Sequence, residues 1–112
     1  MQSTLLLAAA IAAELVATTS LKLTDGFTRL VPSAVTVAGY AIAFYLLALT
    51  LRRMEVGVVY AIWSGAGTTL MALLGYALFG DSLSAVKLAS IALIVAGVVG
   101  LNFGDAWLAR AG

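Results

Sequence analysis

Four long apolar runs, separated by short clusters of charged and turn-forming residues, organise this chain from end to end. They cover roughly residues 4–21, 30–51, 56–80 and 84–104. Crossing the hydrocarbon of a bilayer takes about 20 residues, with a range of about 17–25. Each run is long enough, and four transmembrane helices are predicted. Between the runs lie Lys22, Asp25 and Arg29, then Arg52, Arg53 and Glu55, then Asp81 and Lys87, with Asp105 and Arg110 at the end. Asp25-Gly26 breaks the chain after the first run. Pro32 sits near the start of the second, where its missing N–H costs nothing. Gly80-Asp81-Ser82 closes the third. Loops this short make neighbouring helices antiparallel. The prediction is an all-α integral membrane protein, with residues 1–112 forming one up-down-up-down four-helix domain. The stretch after Gly104 is expected to be a short polar end.

Composition sharpens this picture. The chain is 63% hydrophobic and 10% charged, with a mean hydropathy of +1.12. A soluble domain carries about 25% charged residues, so the solvent for most of this surface is lipid. The first run is preceded by Gln2 and Ser3 rather than a basic segment, and Glu14 interrupts it. It therefore reads as a membrane helix and not as a cleaved signal peptide. Cysteine is absent, which excludes disulfides and thiol chemistry. Histidine is absent too, which removes the commonest metal ligand and the usual general base. No metal, no cofactor and no enzymatic activity are expected. A net charge of +1 gives no reason to expect a nucleic-acid partner.

Glu14 changes the picture most. It lies near the middle of the first run, and a charge at bilayer depth costs about 3 kcal/mol or more. Its default reading is a proton or cation site; the plain alternative is a hydrogen-bonded acid with no transport cycle. At helical spacing its neighbours are Leu7, Ala10, Ile11, Ala17 and Thr18. Most are small, which leaves volume beside the carboxylate. The third run offers Gly57, Tyr60, Trp63, Ser64 and Gly67 on one face, and the second adds Tyr40 and Phe44. A carboxylate supplies charge, and aromatic rings add cation–π attraction of about 0.5–2 kcal/mol each. Together they suit a weakly hydrated organic cation. Tyr60 and Trp63 equally fit an interfacial aromatic belt. Tyr45, Tyr76 and Trp107 read as packing or belt residues, and Lys22 and Arg29 as interfacial anchors.

Orientation and association follow from charge and small residues. Lys22, Arg29 and Lys87 fall on one side of the membrane, and Arg52, Arg53 and Arg110 on the other. With no Lys/Arg difference the positive-inside rule has little to act on, so the chain is expected to insert both ways, which makes an antiparallel dimer possible. The last run carries Ala92, Ala96, Gly100 and Gly104 at every fourth position, and Ser90, Gly97 and Gly104 at heptad spacing. Such stripes let helices approach closely. Two stripes on one helix allow both uses, one inside the protomer and one across a dimer, with Ser90, Leu93, Gly97 and Gly100 as the candidate interface. Two rival classes remain open. One is a proton-translocating ring subunit, which a four-span chain with its acid in the first span fits poorly. The other is a non-transporting scaffold or heterodimer partner.

Several blocks together resemble the small multidrug resistance (SMR) transporters over nearly the whole chain to Gly104. They are Ala13-Glu14 with Leu21-Lys22, Gly26-Phe27-Thr28-Arg29-Leu30 with Pro32-Ser33, Tyr60-Ala61-Ile62-Trp63-Ser64-Gly65, and Ala96-Gly97-Val98 with Asn102. The resemblance implies a four-helix protomer acting as an antiparallel homodimer in the bacterial inner membrane. It implies proton-coupled export of organic cations, with Glu14 holding protons and substrate in competition. The substrate pocket would comprise Leu7, Ala10, Ala17, Thr18, Tyr40, Phe44, Tyr60, Trp63 and Ser64. The guanidinium-exporting branch would carry a Trp near Ala17, a Met at Tyr40 and a Lys near Asn102. This chain has none of them and is more similar to the EmrE-like drug-exporting branch; export of guanidinium or small amines is the alternative. It departs from the drug branch at Thr4, where a Tyr is usual, at Ala17 and Ser90, where Gly is usual, and at Glu55, where Pro is usual. The missing Tyr thins the expected aromatic cage.

Overall fold

A computed structural model describes the backbone of residues 2–111 and side chains through Gly104. It contains four helices: α1 (Gln2–Leu23), α2 (Leu30–Thr50), α3 (Val56–Phe79) and α4 (Ala85–Ala111). The first three, and α4 through Gly104, are long and apolar enough to cross a membrane. The chain divides into two compact units at Glu55 and Val56, each a helical hairpin. The stretch after Gly104, expected to be a short polar end, continues α4 as helix to Ala111. No Gly-Pro or Asp-Gly signal stops the helix there, and Ala106, Leu108 and Ala111 favour it. The side chains of Asp105, Trp107 and Arg110 lie outside the described residues.

In the first hairpin, Leu7, Ala10, Ile11 and Ala17 are the buried face of α1, and Thr36, Ala43 and Thr50 that of α2. The spacing on α1 is helical, so one stripe meets the partner helix. The approach is closest at Gly39, where an added Cβ would stand 2.8 Å from the Ala17 Cβ. The connecting turn is organised by Thr24, which is only 1% exposed. Its hydroxyl donates to the Leu21 carbonyl at 2.7 Å and accepts from the Phe27 N–H at 3.1 Å. Its carbonyl accepts from the N–H groups of Thr28 and Arg29. Asp25, Gly26 and Phe27 all have positive φ, of 48°, 71° and 65°. Gly is at ease there and Asp is tolerated, but a Phe in this region is strained by about 1–2 kcal/mol. Pro32 is the third residue of α2, among the positions whose N–H groups have no intrahelical acceptor.

In the second hairpin α3 and α4 approach at Gly65, whose added Cβ would stand 2.6 Å from Val98 Cγ2. Gly80 ends α3 with φ of 72°, and the Asp81 N–H then donates to the Gly75 carbonyl at 3.1 Å. The Asp81 carboxylate lies over Gly75, which has no side chain to obstruct it. Ser84 caps α4: its hydroxyl accepts from the Lys87 N–H at 3.2 Å, satisfying a donor that the helix leaves open.

Hydroxyls on the spanning helices are kept from lipid by their own backbones. Thr36 donates to the Pro32 carbonyl at 2.8 Å, Thr50 to Leu46 at 2.9 Å and Thr69 to Gly65 at 2.8 Å. Each bond spends a polar group inside its helix, as a hydrocarbon solvent requires.

Candidate functional site

Glu14 faces α2 from the middle of α1. It is half-buried, in register with the fully buried Ala10 and Ala17. Its Oε1 accepts a hydrogen bond from the Thr18 hydroxyl at 2.9 Å. Thr18 is one turn further along, so the contact is the i, i+4 neighbour relation of a helix surface. The Thr18 oxygen in turn lies 2.7 Å from the Tyr40 hydroxyl on α2. Tyr40 stacks with Phe44, ring centroids 6.1 Å apart and planes at 29°. Acid, hydroxyl, phenol and second ring therefore form one connected row within the first hairpin. The other carboxylate oxygen, Oε2, is buried and has no hydrogen-bond partner. A buried carboxylate oxygen without a partner is costly. It is an acceptor waiting for a proton or a cation.

The remaining predicted pocket residues divide by location. Leu7, Ala10 and Ala17 are buried in the α1–α2 packing, at 3%, 0% and 0% exposure, and Ala17 lies against Gly39. Phe44 is exposed beside Tyr40. Tyr60, Trp63 and Ser64 belong to α3 of the second hairpin, where Tyr60 is 70% exposed, Trp63 half-buried and Ser64 exposed. A recess of about 220 Å³ between α3 and α4 is lined by Ile62, Gly65, Thr69, Leu70 and Val98 among others, with none of the candidate residues.

The candidate interface residues on α4 share one property. Ser90, Leu93, Gly97 and Gly100 are all exposed, and Cβ atoms added at Gly97 or Gly100 would meet nothing within 4 Å. Ala92 and Ala96 are exposed, and α4 meets α3 through Ile94 and Val98. The small partner is Gly65 on α3.

Two features escaped the sequence reading. Thr18 is placed there beside Glu14 and in the pocket, but not as the group that holds the carboxylate. Its i, i+4 spacing from Glu14 is a signal that could have found this. Gly39 was not singled out, although a glycine inside a helical run is itself a packing signal.

Four helices able to cross a membrane, with a half-buried acid on the first, define a small multi-pass membrane protein that carries an ionisable site. Residues 2–94 match the family described as Small Multidrug Resistance protein. The chain belongs to that family and is a multi-pass protein of the bacterial inner membrane. It is 47% identical to the quaternary ammonium compound-resistance protein QacE of Escherichia coli over 102 residues, covering 91% of this chain and 93% of that one. It is 50% identical to a multidrug transporter of Pseudomonas aeruginosa over 99 residues, covering 88% and 90%. It is 48% identical to the multidrug resistance protein mmr of Mycobacterium leprae over 103 residues, covering 91% and 96%.

Proposed function

We propose that this chain exports hydrophobic and aromatic organic cations, quaternary ammonium compounds among them, in exchange for protons. The observation that carries the reading is the buried, unpartnered Oε2 of Glu14 on a spanning helix, in a row with Tyr40 and Phe44. A carboxylate so placed is stabilised by a proton or by a cation, and one excludes the other. Its use in transport is supported by membership of a multidrug resistance family and by the quaternary ammonium resistance named for QacE.

The cycle needs no covalent chemistry. A proton arriving from the outside occupies Glu14 and displaces a cation outward. Loss of that proton to the cytoplasm lets the next cation bind, and exclusive occupancy couples the two fluxes. Thr18, Tyr40, Phe44, Tyr60, Trp63 and Ser64 are the side chains proposed to meet substrate, while Leu7, Ala10 and Ala17 pack α1 against α2 behind Glu14. Residues 1–112 make one four-helix transmembrane domain, and two protomers work as an antiparallel homodimer of dual topology. The balanced Lys/Arg distribution supports this, as do the open positions Ser90, Leu93, Gly97 and Gly100 on α4. Alternating access comes from exchange between two inequivalent protomer conformations.

The test is transport by the purified chain alone in lipid vesicles under a pH gradient, with benzyltrimethylammonium and guanidinium as substrates. Wild type is expected to move the aromatic cation and to release protons when it binds; Glu14→Gln is expected to do neither. If Glu14→Gln still supports gradient-driven efflux, the reading fails. Preference for guanidinium would move the chain to the small-cation branch.

A further inference from the structure

Counting protons along the Glu14–Thr18–Tyr40 row fixes its direction. Thr18 has one hydroxyl proton, and it goes to Glu14 Oε1 at 2.9 Å. The 2.7 Å contact between the Thr18 and Tyr40 oxygens must then be donated by Tyr40. While Glu14 is charged, the row runs from Tyr40 through Thr18 to the carboxylate.

Protonation of Glu14 forces a choice. A proton on Oε2 is a buried donor with no protein acceptor, and such a donor costs about 1–3 kcal/mol. A proton on Oε1 has an acceptor, the Thr18 oxygen, provided Thr18 turns its own proton onto Tyr40. The row then runs the other way, and the Tyr40 hydroxyl no longer donates to Thr18. Within the first hairpin, the other titratable groups of α1 and α2 lie away from this row. Along α2 the only other titratable residue is Tyr45, which is 65% exposed, and α2 carries no charge. On α1 the other charge is Lys22, two turns beyond Glu14.

We propose that Thr18 is a two-way coupler that converts the charge state of Glu14 into the direction of the Tyr40 hydroxyl proton. Thr18 is a positioning residue, acting through its neighbours. The inference rests on the proton-exchange reading and deepens it. With Glu14 charged, Tyr40 commits its proton to Thr18 and presents lone pairs elsewhere. With Glu14 protonated, it presents a proton. A cation therefore meets an accepting phenol oxygen in one state and a donating one in the other, and Tyr40 reinforces the competition at the carboxylate. In both arrangements the Thr18 hydroxyl is bonded on both sides, and only the half-buried Tyr40 hydroxyl changes from giving its proton to Thr18 to turning it out of the row.

The experiment uses the full chain in lipid bilayers with ¹³C-labelled Glu and Tyr, the Tyr40 ring carbon being assigned with Tyr40→Phe. Spectra are taken over a pH range in which the phenol keeps its proton. In wild type and Thr18→Ser, the Tyr40 Cζ and Glu14 Cδ resonances are expected to move with one midpoint. In Thr18→Val, the Glu14 Cδ resonance still moves and Tyr40 stays flat; Thr18→Ala carries the same test if Val is not accommodated. A flat Tyr40 in wild type overturns the proposal. So does a Tyr40 that follows Glu14 equally without the Thr18 hydroxyl, since a through-space field then suffices. Proton release on adding benzyltrimethylammonium separates the two readings. Release with a flat Tyr40 removes the coupler alone. A responsive Tyr40 without release removes the antiport reading and leaves the coupler standing.

Discussion

Gly39 on α2 lies directly against Ala17 on α1: a Cβ built on the glycine stands 2.8 Å from the Ala17 Cβ and 3.2 Å from its Cα. The next nearest atom is the Ala13 carbonyl oxygen at 3.4 Å. None of these is the end of a flexible side chain, so relief requires the two helices to part. Tyr40 and Thr18 are the next residues along each helix, and their 2.7 Å contact depends on this approach.

Gly39→Ala is therefore expected to destabilise the first hairpin by about 1–3 kcal/mol, the usual cost of overpacking. It should also lengthen the Thr18–Tyr40 contact. Thermal unfolding in detergent reads the first effect, and the Tyr40 ring-carbon shift reads the second. An unchanged midpoint with an unchanged Tyr40 resonance would show that the helices are not this close.

Gly65→Ala tests the corresponding approach in the second hairpin, where the new methyl meets Val98 Cγ2 at 2.6 Å and Ile94 Cγ2 at 3.4 Å. Valine has one strongly preferred rotamer in a helix and cannot swing clear. A loss of about 1–2 kcal/mol is expected, within the range for overpacking. Val98→Ala in the same chain should recover most of it. The double-mutant cycle is decisive, because purely additive effects would deny the contact.

Thr24→Val removes the buried hydroxyl that organises the α1–α2 turn. It deletes the bond to the Leu21 carbonyl and leaves the Phe27 N–H without its acceptor. A cost of about 1–3 kcal/mol is expected from the unpaired groups. Thr24→Ser should retain most of the stability, because the hydroxyl is kept. Equal melting temperatures for Thr24→Val and Thr24→Ser would mean that the methyl, not the oxygen, matters.

Trp63→Ala separates recognition from packing on α3. If the indole contacts substrate, benzyltrimethylammonium binding should weaken by about 0.5–2 kcal/mol, the range of one cation–π contact. Guanidinium should lose less. Calorimetric titration of both ligands provides the comparison, and an equal loss for the two assigns Trp63 to packing.

The sequence by itself determined how many helices there are, where they lie and that Glu14 is stranded within the first. These follow from local quantities: run length, the charges and turn residues between runs, and the cost of an acid in oil. The extension of α4 to Ala111 was missed because Asp105 and Arg110 end the apolar run without ending the helix. The tertiary structure decided which oxygen of Glu14 is held by Thr18 and which is left open. It also decided that Thr18 reaches Tyr40, and that Ile94 and Val98 of α4 come against Gly65 of α3. Small residues on every side of an apolar helix leave its rotation undetermined, since lipid accepts any face equally well. Only the fit of one helix surface into another selects the angle, and that fit belongs to pairs of residues distant in the chain.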